Sequence, residues 1–276
     1  MRRFLLFIFL LSQSAVAWPA LPLGPTEIEV ERSFFNGNDT IVYLEDLETG
    51  MVYGVHPKRC AERHPPFSTF KVPNLLIALE TGAVNSLESV IEYDPARRPE
   101  ADYWPPNWAQ DQTLKSAFQR SAAWAFQDLA LKIGSETYQG YLDYFSYGNG
   151  ESVGDAFWLD RTLEVSPKEQ VDFLRKLLTE QFEIAPLHID MLREAARLKS
   201  EGGITLYGKT GSGPVRANDF DGEFEGWLMG WLERPDAKPV LFCLWTRGPS
   251  YQAINSYRRE AIEQVLEQAG YLPLSW

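Results

Sequence analysis

Gly202–Gly213, GGITLYGKTGSG, supports two incompatible architectures. Gly203 to Thr210 fits G-x-x-x-x-G-K-[ST] letter for letter, the pattern of a glycine-rich loop that cradles phosphates. The alternative is a strand, Ile204–Tyr207, running directly into Lys209-Thr210-Gly211. A phosphate loop must follow a strand and open a helix, because the helix N-terminus supplies the amides and positive dipole that hold the phosphates. Gly-Ser-Gly-Pro-Val-Arg-Ala-Asn, which follows Thr210, starts no helix. Ile-Thr-Leu-Tyr is β-branched and bulky, which suits a pleated strand rather than a cradle. No βα units follow. The strand is therefore preferred, and the nucleotide-hydrolase alternative is set aside.

The strand has company on both sides. Gly226–Leu232 and Val240–Thr246 read as strands joined by a turn at Pro235-Asp236, and Tyr257–Ala269 as a final helix stopped by Gly270. Near the other end, Thr40–Glu45 and Met51–Val55 read as strands around a turn at Glu48-Thr49-Gly50. From Ser68, Phe70, Leu75, Leu76 and Leu79 recur at helical spacing, and Gly82 can end that helix. Pro73 fits only if the helix begins close to Ser68. Thr113–Ile133 is spaced for a buried helix pair or one broken helix. Ser166-Pro167-Lys168-Glu169 is a capping box with proline at the first helical position, and the helix it starts runs to about Leu178. Strands, helices, strands, helix is the order of a sheet lobe built from both chain ends with a helical lobe, roughly residues 83–185, inserted between them.

The chain of 276 residues has 45% hydrophobic residues, enough for one large domain or two intimate lobes. Residues 1–17, MRRFLLFIFLLSQSAVA, carry two arginines, a short apolar run and small residues at Ala15-Val16-Ala17. This is the pattern of a secretory signal peptide, so residues 18–276 are expected to form an exported, periplasmic or secreted protein without a membrane anchor. Removing residues 1–17 takes the net charge from −12 to 24 − 38 = −14. So acidic a chain is a poor binder of nucleic acid or anionic membrane. Cys60 and Cys243 are the only cysteines. Two give no disulfide framework, and Cys243 in an apolar strand reads as a buried thiol. The three histidines have no ligand spacing, so no metal site is expected.

Ser68-Thr-Phe-Lys71 is the one Ser-x-x-Lys in the chain. The spacing puts a hydroxyl and an amine one turn apart on one helix face, where an unprotonated lysine can act on the serine proton. Together with Lys209-Thr210-Gly211 on a later strand it makes the motif set of a serine acyl-transfer enzyme. With STFKVPNLLIALETG, NWAQDQTLKSAFQRSAAWAFQDLA, YGNG at Tyr147–Gly150, FWL at Phe157–Leu159, VSPKEQVDFLRKL, YGKTGSG and GWLMGWLE in order, the chain resembles the class D serine β-lactamases over nearly its whole mature length. YGN and FWL separate that class from class A.

The resemblance implies a two-lobed α+β fold of the penicillin-binding transpeptidase kind, with an antiparallel sheet. It implies a β-lactam hydrolase acting as monomer or homodimer on a small-molecule substrate. The second possibility is a penicillin-binding sensor that is acylated and turns over poorly. Ser68 would be the acylated nucleophile and Lys71 would carry a carbamate (N6-carboxylysine) formed from carbon dioxide or bicarbonate, with no other cofactor. Ser121 would pass a proton to the β-lactam nitrogen, and Trp158 would hold the carbamate by its indole N–H. Lys209, Thr210 and Arg258 would bind the substrate carboxylate, and the amides of Ser68 and Ser212 would form the oxyanion hole. Ala123 and Leu159 would line the pocket.

Elementary chemistry is consistent with these roles. A free lysine with a pKa near ~10.4 is almost wholly protonated at pH 7, so a lysine base must lose that charge by burial or modification. An anionic carbamate then needs a donor such as an indole N–H. Several assignments leave alternatives: Ser121 as a helix N-cap, Trp158 as core, Tyr147 and Asn149 as turn residues, Arg258 as a surface charge beside Arg259. Ala123 departs from the usual Ser-x-Val of the class. Two missing carbons are expected to loosen the cover over Lys71 and raise the bicarbonate requirement.

Overall fold

The computed structural model describes residues 26–27, 35, 37–255, 257–273 and 276. The proposed signal peptide lies outside them.

Seven strands form one sheet in the order β1-β3-β2-β9-β8-β7-β6. They are β1 (Thr26–Glu27), β2 (Asp39–Asp46), β3 (Val52–Val55), β6 (Arg197–Glu201), β7 (Ile204–Pro214), β8 (Phe224–Arg234) and β9 (Ala237–Gly248). All pairings are antiparallel except the short β1–β3 contact. Strands from both chain ends meet where β2 pairs with β9. Between β3 and β6 run α1 (Lys71–Glu80), a two-stranded ribbon of β4 (Val90–Ile91) and β5 (Gln112–Thr113), and the helices α2 (Leu114–Arg120), α3 (Ala123–Ile133), α4 (Ser135–Phe145), α5 (Pro167–Leu178) and α6 (Pro186–Ala196). The chain closes with α7 (Tyr251–Asn255) and α8 (Tyr257–Gln268).

The central strands are apolar on both faces because both faces are covered. Ile41 and Tyr43 on β2, Trp227, Met229 and Trp231 on β8, and Leu241, Cys243 and Trp245 on β9 join the helical lobe in one core. The alternate residues Val42, Leu44, Leu228, Leu232, Val240, Phe242 and Leu244 join Ala261, Ile262, Val265 and Leu266 of α8 in a second. The two-residue period of the strand thus divides one apolar run between two cores.

The Ser166 capping box is present, its hydroxyl accepting from the Glu169 amide while Glu169 accepts from the Ser166 amide. Thr113–Ile133 is a helix pair, broken at Ser121 by a left-handed φ of 58°. β7 is longer than Ile204–Tyr207 because it carries the Lys-Thr-Gly triplet inside the strand. Helices α4 and α6 and strand β6 have no strong sequence signature. Cys60 and Cys243 are buried free thiols. No helix among the described residues is long and apolar enough to cross a membrane.

Candidate active site

Ser68 sits in a 3-10 turn, Phe67–Phe70, that runs without a break into α1. Pro73 is therefore accommodated in the first turn of α1, where its missing N–H costs nothing. Lys71 Nζ donates to Ser68 Oγ at 2.9 Å. Lys71 is 0% exposed, and burial pulls its pKa from 10.5 to about 7. At neutral pH the side chain is thus available as a free amine. The Phe126 ring lies over Nζ at 5.3 Å from its centroid.

A buried polar chain fixes the turn from below. Thr69 Oγ1 donates to Pro66 O, Gln170 Nε2 donates to Thr69 Oγ1, and Tyr147 OH donates to Gln170 Oε1 at 2.6 Å. Each of these groups is satisfied by the next, so the chain holds the backbone of the Ser68 turn without an unpaired cost. Tyr147 is accordingly a support for Ser68 and more than a turn residue.

Above the turn lies β7. Its partner β6 pairs only with Ile204–Tyr207, leaving residues 208–214 with one edge free of strand. The nucleophile turn packs there, at glycine positions. A Cβ on Gly211 would stand 2.6 Å from Pro66 O and 3.1 Å from Ser68 N, and one on Gly213 would enter the Phe67 ring. The K-T-G glycine is therefore needed for close approach of the two backbones. Lys209 is buried and donates from Nζ to Ser121 Oγ at 2.5 Å and to Thr210 O at 3.0 Å. Burial, with Lys71 and Arg258 nearby, holds its pKa well below the ordinary lysine value.

Ser121 ends α2 and does not cap α3, which has no side-chain cap. The N-cap alternative is thereby removed. Arg258 is 2% exposed. Its Nη1 donates to Gly211 O, Ser212 Oγ and Trp227 O, and its Nη2 to Asn255 Oδ1. Gly226 leaves room for it, since a Cβ there would stand 3.1 Å from Arg258 Cδ. Arg259 instead pairs on the surface with Glu263. Arg258 is the arginine at the site, behind Lys209, Thr210 and Ser212.

Trp158 is wholly buried, stacked on Phe70, and its Nε1 has no hydrogen-bond partner among the described residues. Its carbonyl accepts from the Phe67 amide, one residue before the nucleophile. The loop carrying it is held by the Tyr147-Gly148-Asn149 turn: Asn149 Nδ2 donates to Thr162 O, and Asn149 Oδ1 accepts from the Glu164 amide. Gly148 has φ 58°, and a Cβ there would lie 2.2 Å from Glu164 O. Gly148→Ala is expected to cost about 3 kcal/mol, combining left-handed strain and backbone overlap. Urea denaturation measures it, and a loss under 1 kcal/mol would show that the loop moves aside freely.

Ala123 does not leave Lys71 open. The lysine carries no accessible surface, Phe126 packs over it, and Leu159 is half-buried against the same core. Lys71 is therefore closed to solvent with alanine at position 123, and the expected effect on the bicarbonate requirement stays a prediction. Phe126 was legible only as one more apolar helix residue. A groove between α2, α6 and β7, lined by Lys115, Asp190, Arg193 and Glu194, holds charges that pair with one another and no nucleophile.

Residues 41–267 match the family model of the penicillin binding protein transpeptidase domain. The β-lactamase OXA-20 of Pseudomonas aeruginosa is 32% identical over 246 residues, covering 87% of this chain and 86% of that protein. This chain belongs to the class D β-lactamases. It is a β-lactamase-type hydrolase of that family, and its sheet and helices superimpose on those of the class. The class D β-lactamase from Sebaldella termitidis has a TM-score of 0.79 at 29% identity, covering 90% of this chain and 99% of that one. The C-terminal domain of the Bacillus licheniformis BlaR penicillin-receptor has a TM-score of 0.81 at 30% identity, covering 92% and 100%.

Proposed function

We propose that this chain opens β-lactams by forming an acyl-enzyme on Ser68 and hydrolysing it, with Lys71 working as a carbamate. The observation that carries the base assignment is the wholly buried Lys71 amine bonded to Ser68 Oγ at 2.9 Å, with the Trp158 indole stacked on the adjoining Phe70. A buried indole donor without a protein partner belongs to the same core as a wholly buried lysine whose pKa has fallen to about 7. An unpaired buried N–H is open to an acceptor, and a carbamate on Lys71 would offer one. Lys71 and Arg258 both lie near Lys209, a setting that favours an anion there. The carbamate would supply an anionic base beside Ser68 and a negative charge among these basic groups.

In the first step Ser68 Oγ adds to the lactam carbonyl as its proton leaves toward Lys71. The amide of Ser68, with that of Ser212, supports the oxyanion. The C–N bond breaks and the nitrogen takes a proton from Ser121, which recovers one from Lys209 Nζ, bonded to its hydroxyl. Lys209, Thr210 and Arg258 receive the substrate carboxylate. Water then cleaves the ester on Ser68. The protein acts after export, once residues 1–17 are removed.

The likeness to the BlaR penicillin-receptor domain favours a second reading, in which the acyl-enzyme forms and persists. A chromogenic cephalosporin distinguishes the two: steady turnover supports hydrolysis, and one stoichiometric burst supports a receptor. The base is tested by activity against bicarbonate. Below pH 7 the buried amine becomes ammonium, which does not react with carbon dioxide. Carbamate formation itself also releases a proton, so at fixed dissolved carbon dioxide and low occupancy the activity is expected to fall up to about a hundredfold per unit as pH drops below about 7. A flat response to both bicarbonate and pH would end the carbamate reading. Trp158→Phe is expected to keep acylation and slow deacylation about 10–100-fold, restored in part by excess bicarbonate. Unchanged deacylation would reduce the indole to packing.

A further inference from the structure

The loop that carries Trp158 is held on one side by Asn149, and on the other by a half-buried ion pair that the chemistry above does not use. Arg161 adopts φ 72°, a left-handed conformation that favours glycine. Its Nη2 donates to Val215 O at 3.0 Å and to Glu225 Oε1 at 3.2 Å. Glu225, near the start of β8, is 4% exposed. A carboxylate so deep in a sheet is costly unless a partner repays it. Burial raises the Glu225 pKa, Arg161 and then Arg247 oppose this, and Glu164 adds to it. Beside it stands His64, with Nδ1 4.0 Å from Glu225 Oε1 and its ring stacked on Trp245 at 3.9 Å.

His64 begins the segment leading to the nucleophile. Its amide donates to Val165 O and its carbonyl accepts from the Val165 amide, while the Phe67 amide donates to Trp158 O. Residues 64–67 and 158–165 are thus bonded side by side, and Arg161 fastens the second segment to the sheet. A surface loop needs no such anchor. A loop that carries the proposed donor to the base does, because small misplacements cost rate steeply.

We infer that Arg161 and Glu225 form a clasp that positions Trp158 against Ser68 and Lys71, making them positioning residues for deacylation. The inference rests on the carbamate reading for the identity of the base, but not for the existence of the clasp. Arg161→Gly removes the guanidinium at a position whose backbone suits glycine, so the fold should survive. Glu225→Gln removes only the charge.

The experiment measures acylation and deacylation rates separately, with hydrogen exchange of peptides covering residues 64–67 and 158–165. In both variants deacylation is expected to slow about tenfold while acylation stays within about twofold, the low end of what losing a supporting partner costs. Exchange of the two peptides should rise, while peptides from β2 and β9 stay unchanged. Wild-type deacylation in both variants, or an equal loss in both steps, would overturn the clasp. A wild-type enzyme indifferent to bicarbonate would instead strike the base assignment, and leave the rate split and the exchange pattern to decide the clasp.

Discussion

Ser68→Ala is expected to form no penicilloyl adduct and to lose turnover on the order of 10⁶-fold, as removal of a nucleophile does in serine hydrolases. Ser68 Oγ is the hydroxyl bonded to Lys71 Nζ, whereas Ser121 Oγ is bonded to Lys209. Ser121 lies on a different element and has no place in the 3-10 turn that abuts β7. Stability should hardly change, since the substitution removes one hydrogen bond worth about 1 kcal/mol. Intact-mass spectrometry after penicillin treatment reads the result. A stoichiometric adduct on the alanine variant would move the nucleophile elsewhere.

Lys71→Met should lose activity about 10³–10⁴-fold, at the upper range for a general base, yet gain stability. The sign follows from the pKa values. The lysine titrates near 10.5 when exposed and at about 7 in the folded protein. As pH falls from 10.5 to about 7, the unfolded chain takes up a proton that the folded one does not, so folding is progressively disfavoured, and the loss levels off below 7. Methionine fills similar space with no charge to desolvate. At pH 7 and without bicarbonate, the variant should be more stable than the parent by roughly 3 kcal/mol. Denaturant titration at pH 7 and at pH 10 gives the test, with the difference between the proteins shrinking at the higher pH. A less stable methionine variant would mean that Lys71 is not buried at a cost. It would also remove the reason to expect an amine at neutral pH.

The sheet and most of the catalytic candidates were legible because their signals are local. A capping box, a strand of alternating cores and a hydroxyl one turn from an amine are visible within a few residues. Arg258 could be chosen over Arg259 only by spacing to Gly270, and the structure explains the choice: Gly226 makes room for the one and solvent takes the other. Other features are not local. Gln170 reaches Thr69 across 101 positions, and Arg161 reaches Glu225 across 64. Nothing in either residue's neighbourhood announces a partner so distant. Ala123 is a different case. A pattern defect was visible in the sequence, but the cover that Phe126 gives Lys71 depends on how α3 faces α1. Tyr147 and Asn149 read as turn chemistry and are that, with the added role of holding two site segments at once.

The break at Ser121 has a bearing on how this protein can change. Ser121 holds φ 58° and Phe67, next to the nucleophile, φ 48°. Each non-glycine residue kept in that region costs roughly 1–2 kcal/mol. Glycine would relax both positions, and at Ser121 the same exchange would delete the hydroxyl bonded to Lys209. If Ser121 is the proton donor proposed above, a population selected only for heat tolerance would find a gain at Ser121 and lose turnover by taking it. Retention of serine there under drift would report continuing selection for turnover, read from sequence descendants without any assay.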